Sequence, residues 1–179
     1  MPHSVMTRVF CTAALALLCM LALPTTADAQ VGFTVGPRLS LDIGDDLEEG
    51  STTFAAGADV RISSVALPFI INPTYDFYFL DDENGADINF STLNVNALFP
   101  FGVSNQVFTP YTGVGLGFSF LAQGPADTVT DAGINIVTGA QFDLLPLKPF
   151  VELGYSVYFT DGDQNLNAFG IRGGLLFGL

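Results

Sequence analysis

The sequence predicts an all-β fold: an eight-stranded antiparallel, up-and-down transmembrane β-barrel, preceded by a cleaved signal peptide. Three observations predict it. Apolar residues recur with period two in about eight segments, the connections between segments alternate in character, and charges inside the segments keep to one face. The bulk composition agrees, with 49% hydrophobic and 13% charged residues in a chain of 179, enough for one domain.

Residues 1–29 read as the signal peptide and residues 30–179 as the barrel domain. Arg8 supplies a positive start, Ala13 to Leu23 form a short apolar run, and Ala27-Asp28-Ala29 makes a cleavage pattern before Gln30. That run is shorter than the roughly 20 residues a membrane-spanning helix needs. Leu17-Leu18 ahead of Cys19 do not suit lipoprotein processing. Cleavage removes His3, Cys11 and Cys19, so no disulfide and no ordinary zinc, copper or haem site survives, and neither metal nor cofactor is expected. It also removes one acid and one base (Asp28 and Arg8), so the net charge of -13 is unchanged. A chain this acidic lacks the clustered bases that nucleic acid requires.

The segments run in order along the chain. Val31 to Leu41 sets Val31, Phe33, Val35, Leu39 and Leu41 against Arg38 and Ser40. Phe54 to Ser63 sets Phe54, Val60 and Ile62 against Gly57, Asp59 and Arg61. Phe69 to Leu80 sets Ile71, Tyr75, Phe77 and Phe79 against Asn72, Thr74 and Asp76. Ile88 to Phe99 sets Leu93, Val95 and Ala97 against Asn94 and Asn96, with a phase slip near Thr92 that reads as a bulge. Tyr111 to Leu121 alternates Val114, Leu116 and Phe118 with Gly113, Gly115 and Gly117. Ile134 to Asp143, Phe150 to Thr160 and Asn167 to Leu179 complete the set, with Asn135, Gln141, Asp143, Glu152, Ser156 and Arg172 on their polar faces. Each segment is near the ~9–11 residues of a tilted membrane strand.

One series of connections is short and proline-containing: Ser64 to Pro68, Pro100 to Phe108 and Leu144 to Pro149. The other is longer and acidic: Asp42 to Glu49, Asp81 to Asp87, Asp127 with Asp131, and Asp161 with Asp163. Short inner turns opposite longer outer loops, with both termini on the turn side, fit a membrane barrel. Phe54, Phe79, Phe90, Phe120 and Phe159 would form a loop-side aromatic girdle, and Phe69, Phe99, Phe142, Phe150 and Phe177 a turn-side one.

Pro110-Tyr-Thr-Gly-Val-Gly-Leu-Gly-Phe118 and Pro149-Phe-Val-Glu-Leu-Gly-Tyr155 resemble strands of the small OmpA/OmpX-like outer-membrane β-barrel families. The tail resembles the assembly signal of those barrels through Arg172, Gly174, Phe177 and Leu179, with Leu179 where Phe or Trp is usual. The resemblance implies the outer membrane of a Gram-negative-type cell, surrounding outer-membrane lipid, and recognition by the barrel-assembly machinery. It does not imply one activity.

The polar-face ions Arg38, Asp59, Arg61, Asp76, Asp143, Glu152 and Arg172 are expected to form an ion-pair network filling the lumen, since eight strands leave room for little else. The same set would otherwise line a narrow ion path. Asp81-Asp-Glu-Asn-Gly85 and Asp161-Gly-Asp163 suit calcium in composition but not in spacing, so they read as solvated loop surface. Without histidine no Ser-His-acid arrangement can be assembled, and no enzyme is expected. The expected role is structural or interactive, through envelope integrity, adhesion or an extracellular partner met by the acidic loops. A small passive pore is the alternative. A soluble lipocalin-like barrel, with the faces inverted, shares the period but would need more charge on its outer face.

Overall fold

Strict alternation gives each segment one apolar and one polar face, and pairing the backbone edges of neighbours closes the chain on itself. The computed structural model describes residues 31–43, 52–80, 88–101, 107–123, 128–144, 146–160 and 165–178. The chain divides into two units, Met1–Gln30 and Val31–Leu179. The expected leader and the greater part of the acidic loops lie outside the described residues.

The strands are β1 Val31–Ile43, β2 Thr52–Ser64, β3 Ile70–Phe79, β4 Ile88–Pro100, β5 Phe108–Gln123, β6 Val129–Phe142, β7 Leu147–Phe159 and β8 Leu166–Gly178. They pair antiparallel in sequence order and close as a barrel between β1 and β8, which leaves no edge for lipid to meet. Tracing the registers once around the ring returns about ten residues along β1, a stagger that tilts the strands roughly 35–45° from the barrel axis. β5 and β6 run further toward the loop end than the period suggests, because pairing continues to Ile88↔Gln123 and to Leu121↔Val129 and takes in Asp131.

The apolar face points outward. Leu39, Val114, Leu116, Ile136 and Ile171 are among the exposed apolar residues, whereas Arg38, Asp59, Asn72, Asp76, Glu152 and Arg172 are buried inside. Only a membrane makes that arrangement favourable, so the inverted, lipocalin-like barrel does not apply. Outward aromatics pair near both rims: Phe54 with Phe79 at 5.8 Å, Phe69 with Phe99 at 5.7 Å and Phe108 with Phe142 at 5.5 Å between ring centroids. Two girdle expectations are corrected, since Phe90 and Phe150 are buried and point into the lumen. The first correction removes another. With Phe90 inside, Thr92, Asn94, Asn96 and Leu98 continue its face, and β4 pairs with β5 without a bulge from Ile88 to Pro100.

Proline within a strand removes a ladder donor. At Pro73 the pairing between β2 and β3 is interrupted, and the Asn72 side chain donates to the Val60 carbonyl at 2.8 Å instead. The β1–β8 ladder is likewise interrupted at Gly36 and Pro37. On the turn side, Leu67 N donates to Ser64 O at 3.1 Å, and Leu144 and Leu147 exchange backbone hydrogen bonds at 2.9 and 3.3 Å.

Candidate functional site in the barrel interior

Three layers fill the lumen. At the loop end Ala55, Tyr78 and Phe90 form an apolar cluster with Leu80, Leu121 and Leu166 against it. At the turn end Leu98, Tyr111 and Val137 form a second, backed by Ile70. Between them lie the ions, buried among polar side chains.

Arg38, from the middle of β1, reaches three carboxylates: Asp59 at 3.3 Å, Asp76 at 3.1 Å and Glu152 at 3.8 Å. Arg61 donates from Nε to Asp59 at 3.1 Å, from Nη1 to Gln141 at 3.2 Å and from Nη2 to the Tyr111 hydroxyl at 3.0 Å. The guanidinium also lies over the Tyr111 and Phe150 rings, 4.8 and 4.5 Å from their centroids. Arg172 stands more loosely between Asp42 at 3.7 Å and Glu152 at 3.9 Å. An amide chain continues the network across the barrel. Asn135 donates to Asn96, Asn96 to Asn72 at 3.2 Å, and Asn72 to Asp59 at 2.9 Å.

Glycines let long side chains cross from strand to strand. Tyr111 on β5 is opposite Gly139 on β6, which is opposite Glu152 on β7, and the Tyr111 hydroxyl donates to Glu152 at 3.1 Å. A Cβ at Gly139 would lie 2.8 Å from that hydroxyl oxygen. Tyr158 crosses Gly133 and Gly117 in the same manner and donates to Asn94 at 3.0 Å. A Cβ on those glycines would fall 2.6 and 3.0 Å from its ring. Tyr78 reaches Asp42 from the loop-end cluster, 2.5 Å from hydroxyl to carboxylate.

Six of the seven ions singled out from the period (Arg38, Asp59, Arg61, Asp76, Glu152 and Arg172) gather in this layer. Asp143 does not. It sits at the turn end, partly exposed, paired with Lys148 at 3.3 Å, and meets the network through Gln141, which donates to it at 3.1 Å. Asp42, counted with the external acids, belongs instead to β1 and is fully buried. Its even parity with Arg38 and Ser40 was the available signal. Among the assembly-signal residues, Arg172, Gly174 and Phe177 lie in β8, with Phe177 outward, and Leu179 lies outside the described residues.

Residues 12–177 match the family described as outer membrane protein beta-barrel domain. No curated protein matches the chain. Among solved structures, Neisserial surface protein A is similar with a TM-score of 0.67 at 13% identity, covering 84% of this chain and 99% of that one. Ail, the attachment invasion locus protein of Yersinia pestis, has a TM-score of 0.53 at 14% identity, covering 84% and 100%. Outer membrane protein H of P. aeruginosa has a TM-score of 0.53 at 13% identity, covering 83% and 99%. At such identities the likeness concerns the fold. The breadth of the family match, an inside-out barrel and its aromatic rims converge: the chain belongs to the outer membrane protein beta-barrel domain family and resides in the outer membrane of a Gram-negative-type cell.

Proposed function

We propose that this barrel is a non-catalytic structural or surface-interaction protein whose lumen is plugged by its own ion-pair network. The observation that carries this reading is the layering: a buried ionic layer held between apolar clusters at both ends of the lumen. An ion entering would have to strip water and displace guanidiniums already engaged by carboxylates. No histidine or cysteine is available within the strands for nucleophilic chemistry. The acidic loops would then carry the working surface, with lipid around the wall and the assembly machinery reading the last strand. The Ail structure holds the heparin analogue sucrose octasulfate. A chain of net charge -13 is a poor match for a sulfated partner, so a neutral or cationic surface is the better fit.

The pore reading draws on one observation, the loose seating of Arg172 at 3.7 and 3.9 Å from its two carboxylates. Conductance of the purified barrel in planar bilayers decides between the two. The plug predicts a silent bilayer, and discrete conductance steps abolished by boiling the protein first would establish the pore.

A further inference from the structure

The two ends of the barrel differ in charge. The connections at the turn end, 64–68, 100–108 and 144–149, contain no acid, and their one base, Lys148, is paired with Asp143 at 3.3 Å. Every connection at the loop end contains acids and no base. In place of charge, the turn end exposes Val65, Leu67, Phe101, Val107 and Leu144, with Val65 at 81%. These side chains continue the apolar wall past the rim that Phe69, Phe99, Phe108 and Phe142 form.

The backbone at this end supplies its own partners. Leu67 N donates to Ser64 O, Ala66 N to Ser64 Oγ at 3.3 Å, Phe101 N to Pro110 O at 3.0 Å and Asp143 N to Val107 O at 2.9 Å. Pro68, Pro100, Pro146 and Pro149 have no donor to satisfy. Water makes no such demand on a turn, whereas lipid does. Depth decides which part of the membrane meets these residues. From Phe69 to Phe79 the tilted chain rises roughly 25 Å, the height of the apolar band of an outer-membrane wall. Because Ile62 pairs with Ile71, the tip of the first turn stands roughly 6 Å beyond Phe69. That is the depth of the headgroup layer, about 5–8 Å on each side of the hydrocarbon.

We propose that the turn end is a lipid-contact surface, its apolar turns seated in the headgroup layer and covered by phospholipid, not by water or a protein partner. This extends the lipid contact of the proposed function from the wall to the turns, and its failure would leave the plug and its conductance test untouched. The chain has no tryptophan, so V65W and F101W each place a single emitter at this end, and L116W places one on the wall. Each variant is folded into phosphatidylcholine vesicles, confirmed by its heat-shifted gel band, and measured with brominated acyl chains and with iodide on both faces. Brominated chains should lower V65W and F101W emission by about half, and L116W emission further, because the headgroup layer borders the chains that surround Leu116. Iodide should quench V65W and F101W several-fold less than it quenches the same variants unfolded in urea. Iodide quenching equal to that of the unfolded chain, with no effect of bromine, would place the turns in water and overturn the proposal. Protection from iodide without quenching by bromine would overturn it too, since protein, a second barrel included, would then cover the turns. The two positions lie on separate connections, so either one decides the matter if the other variant does not fold.

Discussion

Arg172 and Tyr111 show how much a single interior side chain carries. Arg172 is the cation nearest Asp42, and it shares Glu152 with Arg38. Replacing it by leucine would leave two buried carboxylates short of charge, a loss of about 3–5 kcal/mol for a broken buried pair. R172L should therefore unfold in detergent well below the wild type, and an unchanged midpoint would count against the network. Y111F removes one hydroxyl that bonds both Arg61 and Glu152, and should cost about 1–3 kcal/mol, read by the same melt. Alternation along each strand made the wall-side choice for Arg38, Asp59, Arg61, Asp76, Glu152 and Arg172 legible in advance. It put Asp42 in the outer loop because an acid beside an acidic loop looks the same whether the strand ends before it or after it. The partnership of Tyr111 with Glu152 was beyond reach, since it spans 41 positions and depends on Gly139 between them.

Element by element, β5 shows the two faces under opposite rules. Its inner glycines make room for crossing side chains, so a methyl group at Gly117 would meet Asn94 and the Tyr158 ring. G117A should lower stability by about 1–3 kcal/mol, and Y158A in the same background should recover part of that loss, a coupling measurable as a double-mutant cycle. Its outer face answers to lipid. L116R, at a residue 64% exposed to the surroundings, should cost roughly 2–4 kcal/mol if the position lies near the membrane midplane, measured by folding into vesicles. Period two distinguished these faces but not depth along the barrel axis. Hence Phe90 and Phe150, close to strand ends, looked like rim residues although their parity turns them inward. Phe150 is held there by the Arg61 guanidinium and by the room at Gly174.

The barrel as a whole has no covalent staple, because both cysteines precede the strands. Folded protein should migrate as a compact band in unboiled gels and shift on heating, and reductant should leave both bands where they are. The seam that closes the ring joins the first strand to the last, from Thr34↔Gly178 to Ile43↔Phe169, and skips Gly36 and Pro37 on the way. That seam imposes an order in time. Until β8 has been made, β1 and β7 each present an unpaired edge, and Asp42 on β1 and Glu152 on β7 wait for Arg172. The last strand to leave the ribosome is thus the one that completes both the hydrogen-bonded ring and the pairing of Asp42 inside it. A chain stopped short of Leu166 would be a sheet with two open margins, a substrate for quality-control proteases and not a smaller version of the same wall.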